Sequence, residues 1–120
     1  MPQITVDYST TLANDFNRPA FARALHTAVV AIATAKPQAC KSHFRPTEDS
    51  TVGDDTEGHA LVHVTIGLLA GRTDETKARL TETTVELLRE HVKPAGGRVL
   101  HVSAEVRDLD PSYRKYEGEG

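Results

Sequence analysis

The second residue of the chain is a proline. Methionine ahead of a small residue such as Pro2 is generally removed, which leaves a secondary amine at the chain end. An α-amine titrates near ~7.7–8.0, and a secondary amine is intrinsically more basic. Burial and nearby cations both lower that value, towards one that suits a general base at neutral pH. The chain end would be held in place if the residues after it formed a central strand. Many chains also begin Met-Pro without using the proline chemically. While Met1 remains, the Pro2 nitrogen is an amide and cannot accept a proton.

Two cations could serve such a base. Arg72 follows Gly71 at a junction of strand and helix, beside a helix N-terminus that favours anions. Its guanidinium offers a bidentate fork to a carboxylate. Lys41 sits on the polar side of a second strand, between Cys40 and Ser42. The plain alternatives are a solvated turn arginine and an exposed strand lysine. Cys40 is the only cysteine, so no internal disulfide forms, and it reads as a small buried hydrophobe. The six histidines predict no metal centre. His59 and His63 share a strand face but stand ~13 Å apart at ~3.3 Å per residue, too far to ligate one ion together. His63 and His101 read as interface or core side chains.

The elements that must position these groups follow from periodicity. Gln3 to Tyr8 alternates polar and apolar, a strand pattern. Asn14, Asp15 and Asn17 are candidate helix caps, and Pro19 suits a first turn. A helix then runs to about Ala35, with Phe21, Leu25, Val29 and Ile32 on one face. Ala39 to Arg45 is a weaker strand that Pro46 stops or marks as an edge. Thr47 to Gly58 reads as a polar, acidic loop. Ala60 to Leu69 is the clearest strand, with Val62, Val64, Ile66 and Leu68 facing inward. Thr73 caps a second helix whose stripe is Leu80, Thr84, Leu87 and His91, widened by Val85, Leu88 and Val92, and Pro94 to Gly97 stops it. Val99 to Arg107 is the last strand, with Leu100, Val102, Ala104 and Val106 inward. A polar tail starts at Asp110.

The order is β-α-β, loop, β-α-β, an internal pseudo-repeat in one domain spanning residues 1–120. Crossover helices return each chain half parallel to the strand it left. The expected fold class is α/β, a two-layer sandwich with a four-stranded sheet and both helices on one face. The other face is half polar (Leu61, His63, Thr65, His101, Ser103) and calls for a sister subunit. Net charge is −3, without the basic surplus of a sequence-independent nucleic-acid binder. No stretch reaches the ~18–20 apolar residues of a membrane span. No basic region followed by an apolar run opens the chain, so the expected location is cytoplasmic.

The opening run Pro2 to Ser9, the run Val62-His63-Val64-Thr65 and Ala70-Gly71-Arg72 resemble the 5-carboxymethyl-2-hydroxymuconate isomerase family, within the tautomerase superfamily. The resemblance extends from Pro2 to about Tyr116. It implies a tautomerase-like homotrimer and an isomerase that needs no cofactor. Pro2 would be the base for a 1,3-proton shift on an unsaturated 2-hydroxymuconate-type dicarboxylate. Arg72 would bind and polarise that substrate. Lys41 and His43 stand where the family has arginines on its second strand, and lysine keeps the charge but loses the planar fork. That departure puts the substrate in question more than the fold. Two other functions suit the same scaffold: a non-catalytic trimeric binding protein, and a hydrolytic dehalogenase or decarboxylase of a short acid.

Overall fold

A computed structural model describes residues 1–119. Its elements are β1 (Gln3–Ser9), α1 (Arg18–Ala33), β2 (Lys41–Thr47), β3 (His59–Leu68), α2 (Asp74–His91) and β4 (Val99–Asp108). Short 3₁₀ turns occupy Thr10–Leu12 and Pro37–Ala39. The sheet order is β2-β1-β3-β4, so β1 and β3 are central and β2 and β4 are edges. The pairs β1–β2 and β3–β4 are parallel, as the crossover helices require. The central pair β1–β3 is antiparallel, which the element order had left open.

Both helices bury their apolar faces on one side of the sheet. Ile4, Val6, Val62, Val64 and Ile66 meet Phe21, Leu25, Val29, Leu80 and Leu88 in a single core. Each such side chain contributes roughly 1.5–3 kcal/mol through burial. The few aromatic rings are concentrated rather than scattered. Phe16 meets Tyr8, Phe21 and Phe44 edge-on at centroid distances of 5.8, 5.5 and 5.9 Å. On the other sheet face Thr5, Asp7, Leu61, His63 and Thr65 are only half-buried.

Local signals placed the helix starts well. Asn17 caps α1 by accepting from Ala20 N at 3.2 Å, and Thr73 caps α2 by accepting from Thr76 N at 3.1 Å. The ends differ from expectation. The first helix stops at Ala33, because Thr34 turns into the left-handed region at φ 56°. Ala33 therefore completes the buried stripe where Ile32 was expected. In α2 Leu80, Thr84 and Leu88 are fully buried, so the stripe centres on Leu88, one of its widening positions, rather than on Leu87. The strand β2 begins at Lys41 and runs through Pro46 to Thr47. Pro46 is tolerated because only one side of this edge strand is paired. Among the described residues, no helix is long and apolar enough to cross a membrane.

Candidate active site

Pro2 immediately precedes β1 and is buried. Its carbonyl accepts the Lys41 backbone N–H at 3.2 Å, which joins the chain start to the start of β2. The register continues from there, Gln3 opposite Lys41 and Thr5 opposite His43. Lys41, His43 and Arg45 consequently share one exposed face of β2. Arg45 is already paired, with both Asp7 carboxylate oxygens, at 2.7 and 3.1 Å. Among the described residues the Lys41 ammonium donates only to the Ala39 carbonyl, at 3.2 Å.

In this chain the terminal amine belongs to Met1, one residue outside Pro2. Its pKa is pushed below the ordinary α-amine value, first by burial, then by the positive charges of Lys41 and Lys115. The Cys40 thiol, raised by its own burial, lies close enough to act on the same amine. The Met1 thioether sulfur accepts the Leu69 backbone N–H at 3.1 Å, which fixes the chain end against the end of β3.

Lys115 had no signal in the sequence. The polar tail after Asp110 shows no period that would fold it back. Its hidden anchors are single residues. Leu109 lies over Gly67, where a Cβ would come within 2.8 Å of Leu109 Cδ2, and the Leu109 N–H donates to the Leu68 carbonyl at 2.7 Å. Further on, Gln3 Nε2 donates to the Tyr113 hydroxyl at 3.2 Å. The tail thus returns to the residue that follows Pro2.

Arg72 stands just ahead of the α2 cap, as expected, but its side chain turns to α1. Nε and Nη2 donate to the Ala33 carbonyl at 3.2 and 2.9 Å, and Nη1 donates to the Leu69 carbonyl at 3.1 Å. The guanidinium closes the end of α1 in this geometry. It keeps two free N–H groups for a ligand. The structure therefore gathers Pro2 and Lys41, adds Lys115, and places Arg72 on main-chain carbonyls nearby.

The histidines lie elsewhere. His59 Nδ1 and His101 Nε2 are 2.8 Å apart, and the Asp55 carboxylate stands 3.4 Å from His59 Nε2. His63 bonds the Ser103 hydroxyl at 2.7 Å and faces Glu105 at 3.5 Å. A polar cavity of about 330 Å³ opens beside His59, lined by Ser9, Ser50, Glu57 and Arg98. It sits at the far end of β1 from Pro2. Cavity shape and the chemistry of the amine point to different places; the amine decides, since nothing in the cavity combines a perturbed base with free cations.

The model of the 5-carboxymethyl-2-hydroxymuconate isomerase family matches residues 2–118. The chain belongs to this family. The match begins at Pro2, and membership supports a tautomerase-superfamily isomerase. A 5-carboxymethyl-2-hydroxymuconate isomerase from Deinococcus radiodurans is 20% identical, with a TM-score of 0.76 over 97% of this chain and 90% of that one. A fused 4-OT symmetric trimer is 24% identical, with a TM-score of 0.73 over 90% and 85%. A malonate semialdehyde decarboxylase inhibited by 3-bromopropiolate is 22% identical, with a TM-score of 0.71 over 98% and 92%. At these identities the likeness to solved structures establishes the tautomerase fold. A comparison with curated protein sequences finds no match.

Proposed function

We propose that the protein catalyses a 1,3-proton shift on an unsaturated 2-hydroxymuconate-type dicarboxylate, with the Pro2 amine as general base. The observation that carries this reading is Pro2 buried at the head of a central strand beside Lys41, with the Met1 amine one residue outside it lowered by burial and by the charges of Lys41 and Lys115. Removal of Met1 moves the amine inward onto buried Pro2, beside the backbone N–H of Lys41. Neutral Pro2 takes the enol proton, or an acidic C–H proton, and returns it to another carbon. The intermediate is a delocalised dienolate. Lys41 stabilises its carboxylate and growing oxyanion, and the free N–H groups of Arg72 face the same task. The proton stays between proline and substrate, so the reaction needs no cofactor.

Three copies packing their half-exposed sheet faces around one axis would cover Leu61, His63 and Thr65. The symmetric 4-OT trimer of the same fold supports that assembly. Light scattering at the monomer mass would contradict it. A second reading places the same base on a shorter keto acid, and the likeness to a decarboxylase together with Lys41 and His43 in place of arginines favours keeping it in the test.

Intact mass of the native protein should show Met1 absent; a retained Met1 would sink the proline base. Ultraviolet ketonisation of a 2-hydroxymuconate-type dienol should be fast for wild type. It should rise further in Lys41→Arg if the missing fork limits diacid binding. Turnover of malonate semialdehyde with no dienol activity would favour the second reading. The sign of the pH dependence follows from the base being the neutral amine. Activity rises as pH passes upward through the amine's pKa. The burial and the lysine charges that lower the Met1 amine would push the Pro2 amine in the same direction, extending activity toward lower pH.

A further inference from the structure

The proposed reaction leaves one requirement open. A diacid carries two carboxylates, and the family arginines that would hold them are Lys41 and His43 here. Arg45, next along the strand face, is closed by Asp7. Arg72 donates three of its N–H groups to main-chain carbonyls. A further mobile cation at the site would have to come from outside β2 and the β3–α2 loop.

We propose that Lys115, on the carboxyl-terminal tail, is the specificity residue that binds the remote carboxylate of a diacid substrate. The proposal rests on the reading of Pro2 as the reactive group of the same site. The tail is brought there by three contacts: Leu109 over Gly67, the Leu109 N–H on the Leu68 carbonyl, and Tyr113 against Gln3. Tyr113 touches the residue after Pro2, and Lys115 is two residues further on. Lys115 is also one of the two cations whose charge reaches the chain-start amine.

The state of its ammonium suits a binding role. Among the described residues its one ion-pair partner is Glu117, at 3.5 Å, and about half of the Lys115 side chain is exposed. That pair is loose, solvated and within two residues, so it contributes little to stability. The Glu117 carboxylate occupies the position that a substrate carboxylate would take, and an incoming diacid can displace it. Arg72 offers no such exchange, because losing its carbonyls would leave the end of α1 open. A single lysine contact gives charge recognition without bidentate geometry. The preference it imposes is therefore for a second negative charge at the far end of the ligand rather than for one carboxylate orientation.

The test uses the full chain with Met1 removed, and two acids that lack the enol proton: muconate, a diacid, and sorbate, the matching monoacid. Binding is followed by amide NMR shifts, which also report whether each variant keeps the wild-type fold. Lys115→Gln should weaken muconate about tenfold and sorbate less than about twofold; Lys115→Arg should hold muconate within about threefold of wild type. Equal weakening of both acids, no weakening, or no muconate binding by wild type would overturn the assignment. A second readout separates binding from mere folding of the tail. Titration of the chain-end amine should move up in Lys115→Gln, which removes a positive neighbour, and stay in place in Lys115→Arg. These measurements do not use turnover. An inactive protein that still discriminates muconate through Lys115 would cost the proline base and leave the anion site standing.

Discussion

In the first half of the molecule Lys41 donates its backbone N–H to the Pro2 carbonyl at 3.2 Å; in the second, Val99 donates to the Gly58 carbonyl at 2.9 Å. Gln3 opposes Lys41 as His59 opposes Val99. The halves are related by a local two-fold across the antiparallel β1–β3 pair. At Pro2 the chain starts one residue earlier, whereas at Gly58 it runs on into the 48–57 loop. That loop satisfies the second position internally: Asp55 accepts the Glu57 and Gly58 N–H groups at 2.9 and 3.1 Å. The second half has a polar cavity beside His59 at this position. The first has the chain-end amine, with Lys41 from its own β2 and Lys115 from the tail that follows the second half. Equivalent folding has produced equivalent hydrogen bonds, and the proposed chemistry follows from which half holds a chain end.

The helix ends differ in a related way. Where α2 ends, backbone holds it: Phe16 bridges Val92, and Lys93 N donates to the Asp15 carbonyl at 3.1 Å. Where α1 ends, the Arg72 guanidinium does this work, next to Thr34 in a left-handed conformation. A side chain can be removed by one substitution, and a backbone bridge cannot. The first half is therefore easier to loosen.

The largest test removes the asymmetry itself. A variant that retains Met1, through a bulky second residue such as Pro2→Gln, has no secondary amine and should lose about 10²–10⁴-fold in ketonisation rate, the usual contribution of a positioned base. Circular dichroism should stay unchanged. Activity within tenfold of wild type would mean that the two halves do not differ in the way described. Next in size is Arg72→Met, which leaves the Ala33 carbonyl without its partner. It should cost about 1–3 kcal/mol in urea unfolding. Unchanged stability with a lost diacid response would return Arg72 to a pure substrate role.

The helix starts should behave alike in both halves. Asn17→Ala and Thr73→Ala should each cost about 1 kcal/mol, since each removes a cap bond of similar length, Thr73 losing in addition only an exposed bond to the Thr76 hydroxyl. A large difference between them would show that the halves are not equally cooperative. The smallest effect is at Thr34. Thr34→Gly relieves a β-branched residue of a left-handed conformation that costs about 1–2 kcal/mol, offset by the greater freedom of glycine when unfolded. A net gain of about 0.5 kcal/mol in thermal or urea unfolding is expected.

Much of the fold could be read from the sequence because it rests on local periodicity. The alternation in Val62 to Leu68, the Thr73 cap and the Pro94 stop are short-range signals, and they located their elements within about two residues. Pro2 and Lys41 were legible for the same reason, as a chain end and a strand face. What could not be read depended on contacts across the chain. Nothing near Arg72 in sequence reveals the Ala33 carbonyl 39 residues away. Nothing in the tail reveals that Tyr113 will meet Gln3 at a separation of 110 residues. The antiparallel joining of the halves is likewise a property of the shared core. A strand pattern specifies which face is buried but not which neighbour it meets.

The Tyr113–Gln3 contact has a topological consequence. It brings the tail next to the start of β1, so a short linker could connect the two without disturbing the sheet. The exposed 48–57 loop could then be opened instead. Such a circular permutant, started with a proline in place of Gly58, would carry its free amine at the opposite pole of the sheet. It would open beside Ser9, Glu57 and Arg98, where a cavity already exists. The same fold would then present its nucleophilic end to a different set of charges.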